Sequence, residues 1–268
     1  MASLPPSLRD TLAYFAKYNY PLTAEELWFW QHGTRISKFK IFSLNSNFKF
    51  QNSNWQLRKQ REEFSKKKWL IAKKVGESLK KFPSITAVFV TGALAMNNCP
   101  KDDDIDFMIV TYPNTLWITR FFVNLFLWSN RRLPGQSQAP NKICPNLWLD
   151  TRNLKLEIRN LYVAHETLQA KVLWDRAGIH SQFLRTNSWV KKYLPVAFKF
   201  QTSNLKIKPL ISNFYYLIFW PLNLLFFLPQ YLYMLPKMTS ERVNLGFAFF
   251  HPNKKFLRTR FNLALREK

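Results

Sequence analysis

Acidic residues are scarce in this chain. Sixteen Asp and Glu stand against forty Lys and Arg in 268 residues, a formal net charge of +24. That balance favours polyanionic partners: nucleic acid, nucleotides or an anionic membrane face. Glycine is scarcer still, at six, which excludes collagen-like and Gly-rich linker architectures. Two cysteines, Cys99 and Cys144, give neither a disulfide framework nor a zinc spacing. The four histidines, His32, His165, His180 and His251, lie far apart and form no HExxH-type signature. The first residues, MASLPPSLRDTLAYF, lack the basic-then-apolar plan of a secretion signal. A reducing cytoplasm is therefore the expected setting.

Core material is plentiful. Hydrophobic residues make up 47% of the chain, with 25 Phe, 10 Trp and 10 Tyr, enough for one large domain or a core domain with a small companion. Residues 6–18 read as a short helix, and Thr23 with Glu26 has the spacing of a capping box that opens a second. The stretch KFKIFSLNSNFKFQNSNWQLRKQ alternates like a hairpin around NSN. Helices followed by a hairpin give either a winged helix-turn-helix over residues 1–58, which would bind nucleic acid, or a small helical cap on the next domain.

From Gln56 to Lys81 runs a long helix with ten Lys or Arg against three Glu, read as a solvated basic face. ITAVFVTG (85–92) and IDFMIVT (105–111) are strands, and LWITRFFVNLFLW (116–128) is an apolar helix. NKICPNLWLDT (141–151) and LKLEIRN (154–160) are further strand candidates, and AHETLQAKVLWDR (164–176) reads as helical. The span from Pro209 to Pro236 holds no charged residue, but Pro221, Pro229, Asn223 and Gln230 interrupt it. It reads as a broken helix covering the core, or as a hydrophobic hairpin in peripheral contact with a membrane.

The charge distribution contains one anomaly. Four of the sixteen acids, Asp102, Asp103, Asp104 and Asp106, fall within five positions directly before an apolar strand. Alternation along a strand projects Asp104 and Asp106 to one face. Two carboxylates held together repel unless a cation lies between them, and hard divalent cations take such oxygen ligands. Gly92, ending the preceding strand, lets backbone N–H groups approach phosphate. A phosphate cradle facing a metal clamp suits phosphoryl or nucleotidyl transfer.

VTGALAMNNCPKDDDIDFMIVT resembles the signature of the DNA polymerase beta-like nucleotidyltransferase superfamily: Gly and a small residue, a spacer of about ten, then Asp-x-Asp entering an apolar strand. The resemblance implies an α+β fold with a mixed β-sheet and flanking helices over 59–200, followed by a hydrophobic, basic helical segment over 201–268. It implies a nucleoside triphosphate substrate, Mg²⁺ or Mn²⁺ on Asp104 and Asp106, phosphate contacts at Gly92 and Ala93, and transfer of a nucleoside monophosphate to an acceptor hydroxyl. Arg120 is either an ion-pair partner or a phosphate contact. The chain departs from the pattern in having Ala93 where Ser is common. The third carboxylate is open among the positions of Asn146, Asp150 and Glu157, with Asp150 the catalytic candidate. A catalytically degenerate, nucleotide-sensing or nucleic-acid-binding protein is the alternative.

Overall fold

The computed structural model describes residues 4–45, 54–133, 136, 138–203, 205, 218–238 and 241–250. Its centre is a six-stranded mixed sheet of order β4-β1-β2-β3-β6-β5. β1 (Ile85–Val90) runs antiparallel to β2 (Ile105–Thr111), and β2 runs parallel to β3 (Ile143–Asp150). β4 (Lys171–Asp175) covers the outer edge of β1, while β6 (Phe247–Phe249) and β5 (Arg242–Val243) extend the β3 side. The α+β class and mixed sheet with flanking helices are as expected.

Alternation divides the sheet's side chains between two cores. On one face, Ala87, Phe89, Met108 and Val110 pack with residues of the N-terminal helices α1 (Pro6–Ala16) and α2 (Ala24–Phe29). Helices α7 (Leu161–Gln169), α8 (Ile179–Thr186) and α9 (Pro195–Thr202) complete that layer. On the other face, Val88, Val90, Phe107 and Ile109 pack against α4 (Trp55–Leu79), the short α5 (Gly92–Ala95), α6 (Leu116–Phe126) and α10 (Trp220–Met234). The Thr23–Glu26 capping box forms in full at the start of α2.

Three sequence expectations change. Residues 38–45, the first arm of the expected hairpin, form helix α3 (Lys38–Asn45). Ser37 starts it, accepting from Lys40 N through its side chain and from Ile41 N through its carbonyl. The remainder of that arm and the NSN turn, 46–53, lie outside the described residues.

LKLEIRN alternates correctly yet forms no strand, because β6 already occupies the free edge of β3. Its backbone is held instead by one side chain: Asn187 donates to the Leu154 carbonyl and accepts from Leu156 N. AHETLQAKVLWDR breaks at Ala170, and residues 171–175 become β4 rather than more helix. The buried outer edge of β1 needs a pairing partner, and β4 supplies it.

The uncharged span is described from residue 218 onward. Pro221 sits in the first turn of α10, where its missing N–H costs nothing, and Pro229 lies inside the helix. Among the described residues no helix is long and apolar enough to cross a membrane.

Candidate functional site

The candidate site lies at the N-terminal end of β2. Asp104 immediately precedes the strand and Asp106 is its second residue, so both side chains reach the same side, as alternation requires. Across the parallel pair, Asp106 is opposite Cys144. One ligand atom from each of Asp104, Asp106 and Cys144 lies within 4.8 Å of the others. Gly92 adopts a left-handed backbone (φ +64°), and a Cβ there would collide with the Asp106 carboxylate. Glycine at this position thus serves close approach to the acid as well as the turn.

The acidic loop is clamped from below by a residue whose role the sequence hides. Lys68, inside the run KKKWLIAKK, is 1% exposed. Its ammonium donates to the carbonyls of Lys101 and Asp103, at 3.1 and 2.6 Å, and to Asn141 Oδ1 at 3.2 Å. The solvated-face reading fails for this one lysine: helical phase turns it inward while its neighbours face solvent. Ser65, one turn earlier, accepts from Cys99 N. The one available signal is phase, since Lys68 falls on the stripe of Ala72, Gly76 and Leu79, from which Lys66 and Lys67 turn away.

Each aspartate already carries a protein partner. Arg132 Nη1 donates to Asp104 Oδ2 at 2.9 Å, and Asn146 Nδ2 donates to Asp106 Oδ1 at 2.5 Å. Burial, with Asp106 and Asp104 nearby, raises the Cys144 thiol pKa far above its ordinary value, so the sulfur is held as the neutral thiol.

Asp150 is not part of this group. The register of β2 on β3 shifts between Phe107–Pro145 and Met108–Leu147, leaving Asn146 as an extra residue. Before this bulge Cys144 and Asn146 meet Asp106; after it Leu147 and Leu149 take over that face, and Trp148 turns to the opposite core. Uninterrupted alternation along β3 would keep Cys144, Asn146, Trp148 and Asp150 on one face, and the bulge breaks that series. Asp150 pairs in register with Thr111, five residues beyond Asp106, or roughly 16 Å along the strands. There it is fully buried and accepts from Arg152 N, Arg152 Nη2 and Asn153 Nδ2, a structural anchor at the far end of the sheet. Glu157 is exposed and pairs with Arg242.

The aspartates form part of the floor of a cleft of about 1440 Å³, reached by Gly92 and Ala93 on one side and by α6 and α10 on the other. That volume exceeds the ~300–1,000 Å³ of an ordinary small-molecule pocket and leaves room for two reactants. Arg120, Arg131, Arg132 and Lys237 line one wall; Tyr14, Tyr18, Tyr162 and Glu166 line another.

Arg120 makes no ion pair with a carboxylate among the described residues. Its Nη1 donates to Gln230 Oε1 at 2.5 Å, and its guanidinium lies over the rings of Trp117 and Phe250. Burial, reinforced by the nearby Arg131, lowers its pKa to about 9. The Nε of both arginines is buried without a hydrogen-bond partner among the described residues. A partly desolvated pair of cations in a cleft wall is suited to an anion.

His165 does not reach substrate space. It is fully buried, with Nε2 3.0 Å from His32 Nε2, and its ring is stacked on Tyr14. His251 lies outside the described residues. Compared with family models, with curated proteins and with solved structures, the chain matches none of them.

Proposed function

We propose that this protein is a divalent-cation-dependent nucleotidyltransferase of the polymerase beta-like type, moving a nucleoside monophosphate from a triphosphate to an acceptor hydroxyl. The observation that carries the reading is the convergence of Asp104 and Asp106 against Gly92, in a cleft that Arg120, Arg131 and Arg132 also line. Two aspartate carboxylates fit Mg²⁺ or Mn²⁺, which complete their shells with water and phosphate oxygens. Cys144, held as the neutral thiol, borders the two carboxylates and is not counted among the ligands. A bound cation would neutralise charge developing on the α-phosphoryl group and the leaving pyrophosphate.

The chain's own residues supply the rest. Gly92 and Ala93 let backbone come close to the phosphates, with Ala93 filling the usual Ser position without a hydroxyl. Arg120 and Arg131 offer guanidinium donors to the anionic tail. Arg132 is 38% exposed in its side chain and is free to exchange Asp104 for a phosphate oxygen. The acceptor oxygen attacks the α-phosphorus as the bond to pyrophosphate breaks.

A second reading draws on Asn146. It reaches Asp106 from the strand where a third carboxylate is expected, and an amide is no general base. This favours a nucleotide sensor that binds without turnover.

Calorimetric titration of each NTP with Mg²⁺ or Mn²⁺, on wild type and on Asp104→Asn/Asp106→Asn, is the test. Metal-dependent binding lost in the variant supports the site. Release of pyrophosphate from labelled NTP then separates enzyme from sensor. Absence of binding to the wild type overturns both readings.

A further inference from the structure

Helix α10 is apolar on both sides, and among the described residues only one side packs against the rest of the fold. Asn223, Phe226 and Gln230 face α6 and the sheet, with Asn223 and Gln230 hydrogen-bonded to the α6 backbone. Leu225, Leu228 and Leu232 recur at i, i+3 and i+7 on the outer side and are 63%, 48% and 63% exposed. Phe122, Leu125 and Phe126 of α6 add 44%, 59% and 48% exposure to the same two-helix layer. An apolar face this wide on a water-soluble surface marks an interaction site.

The rim of that face identifies its occupant. Arg131 lies over the ring of exposed Trp128, and Lys237 lies 3.6 Å from the ring centroid of exposed Tyr233. Trp and Tyr beside snorkelling cations are the residues that settle at headgroup depth. The uncharged run from Pro209 to Pro236 supplies no carboxylate to repel an anionic surface, and the chain bearing it has a net charge of +24. At 15 residues α10 measures about 22 Å, short of the ~30 Å hydrocarbon core, so it lies in the interface and does not span it.

We infer that the α6–α10 face docks on an anionic lipid bilayer, with Leu225, Leu228 and Leu232 inserted among the acyl chains and Lys237 at the phosphates. Leu125, Trp128, Arg131 and Tyr233 also line the cleft, so docking places one rim of the cleft at the headgroup layer.

The experiment is co-sedimentation with vesicles of phosphatidylcholine, with and without phosphatidylglycerol. The full chain is compared with Leu225→Gln/Leu228→Gln/Leu232→Gln, which keeps the net charge. Wild type is expected to bind the anionic vesicles, with indole emission shifting to the blue and binding weakening in high salt. The variant, its fold verified by circular dichroism, is expected to partition about tenfold less or lower still. Leu228→Gln alone replaces it should the triple variant not fold. Failure of the wild type to bind, or equal binding by the variant, overturns the inference. So does a wild-type dimer that ignores vesicles and that the variant dissolves: a second copy would then cover the face.

Discussion

Arg132 and Asp104 illustrate how little separates a resting site from a binding one. Their ion pair is half-exposed on the arginine side, the class worth only a few tenths to about 1 kcal/mol. A divalent cation arriving with a triphosphate would have only that much to displace. Arg132→Gln is expected to tighten Mn²⁺ alone by about two- to fivefold, because Asp104 is freed. The same variant is expected to weaken NTP, because a phosphate donor is gone; calorimetry of metal and nucleotide separately reads both signs. Asp150 predicts the opposite pattern. Its buried carboxylate holds three donors from Arg152 and Asn153, so Asp150→Ala should cost about 3 kcal/mol of unfolding free energy in urea. Metal and nucleotide affinity of the folded fraction should be unchanged, since Asp150 and Asp106 stand at opposite ends of β2 and β3. Loss of metal binding in Asp150→Ala would reinstate it as the third carboxylate.

The elements hold one another by borrowed caps. Thr115 stands at the N-cap of α6, but its hydroxyl donates back to the Tyr112 carbonyl and caps no helix N–H, and Asn223 of α10 accepts from Trp117 N at 2.8 Å in its place. The same amide donates to the Leu245 carbonyl, joining α6, α10 and the β5–β6 turn. Asn223→Ala leaves a buried N–H and a buried carbonyl unpaired. Destabilisation of about 2 kcal/mol is expected, with faster amide exchange in the first turn of α6 and around residue 245. Exchange changes confined to α10 itself would show that the link is not load-sharing. The bulge at Asn146 acts at the same scale, since one extra residue decides which half of β3 faces the aspartates.

For the whole molecule, acid sensitivity follows from the histidine pair joining the N-terminal helices to α7. His32 is lowered to about 4 by burial, and His165 lies well below its ordinary value through burial and the neighbouring His32. Both are neutral when folded and take up protons near pH 6.5 when unfolded. The unfolded chain binds the extra protons, so this contribution is complete above pH 6.5 and is lost as pH falls toward 4. The melting temperature should drop by about 5 °C or more between pH 7 and 4.5, and His32→Gln should flatten that slope. An unchanged slope in the variant would assign the acid sensitivity to other groups, such as His180, which burial also lowers.

The acidic pair, the glycine before it, the strands framing both and the long basic helix were legible in the sequence. Each depends on backbone periodicity or on one residue's own stereochemistry, which a local pattern encodes. Alternation alone puts Asp104 and Asp106 on one side, and the position of Gly92 after β1 marks the close approach to Asp106. Tertiary structure decided whatever depended on a partner far along the chain. β4 exists because β1 has an edge to fill, LKLEIRN is no strand because β6 took the place beside β3, and Lys68 is buried because the carbonyls of Lys101 and Asp103 and the side chain of the more distant Asn141 take its three hydrogen bonds. Asp150 is outside the site because it pairs with Thr111, five residues along β2 from Asp106. Pairing and burial are properties of the assembled sheet, and no window of sequence contains both sides of such a contact.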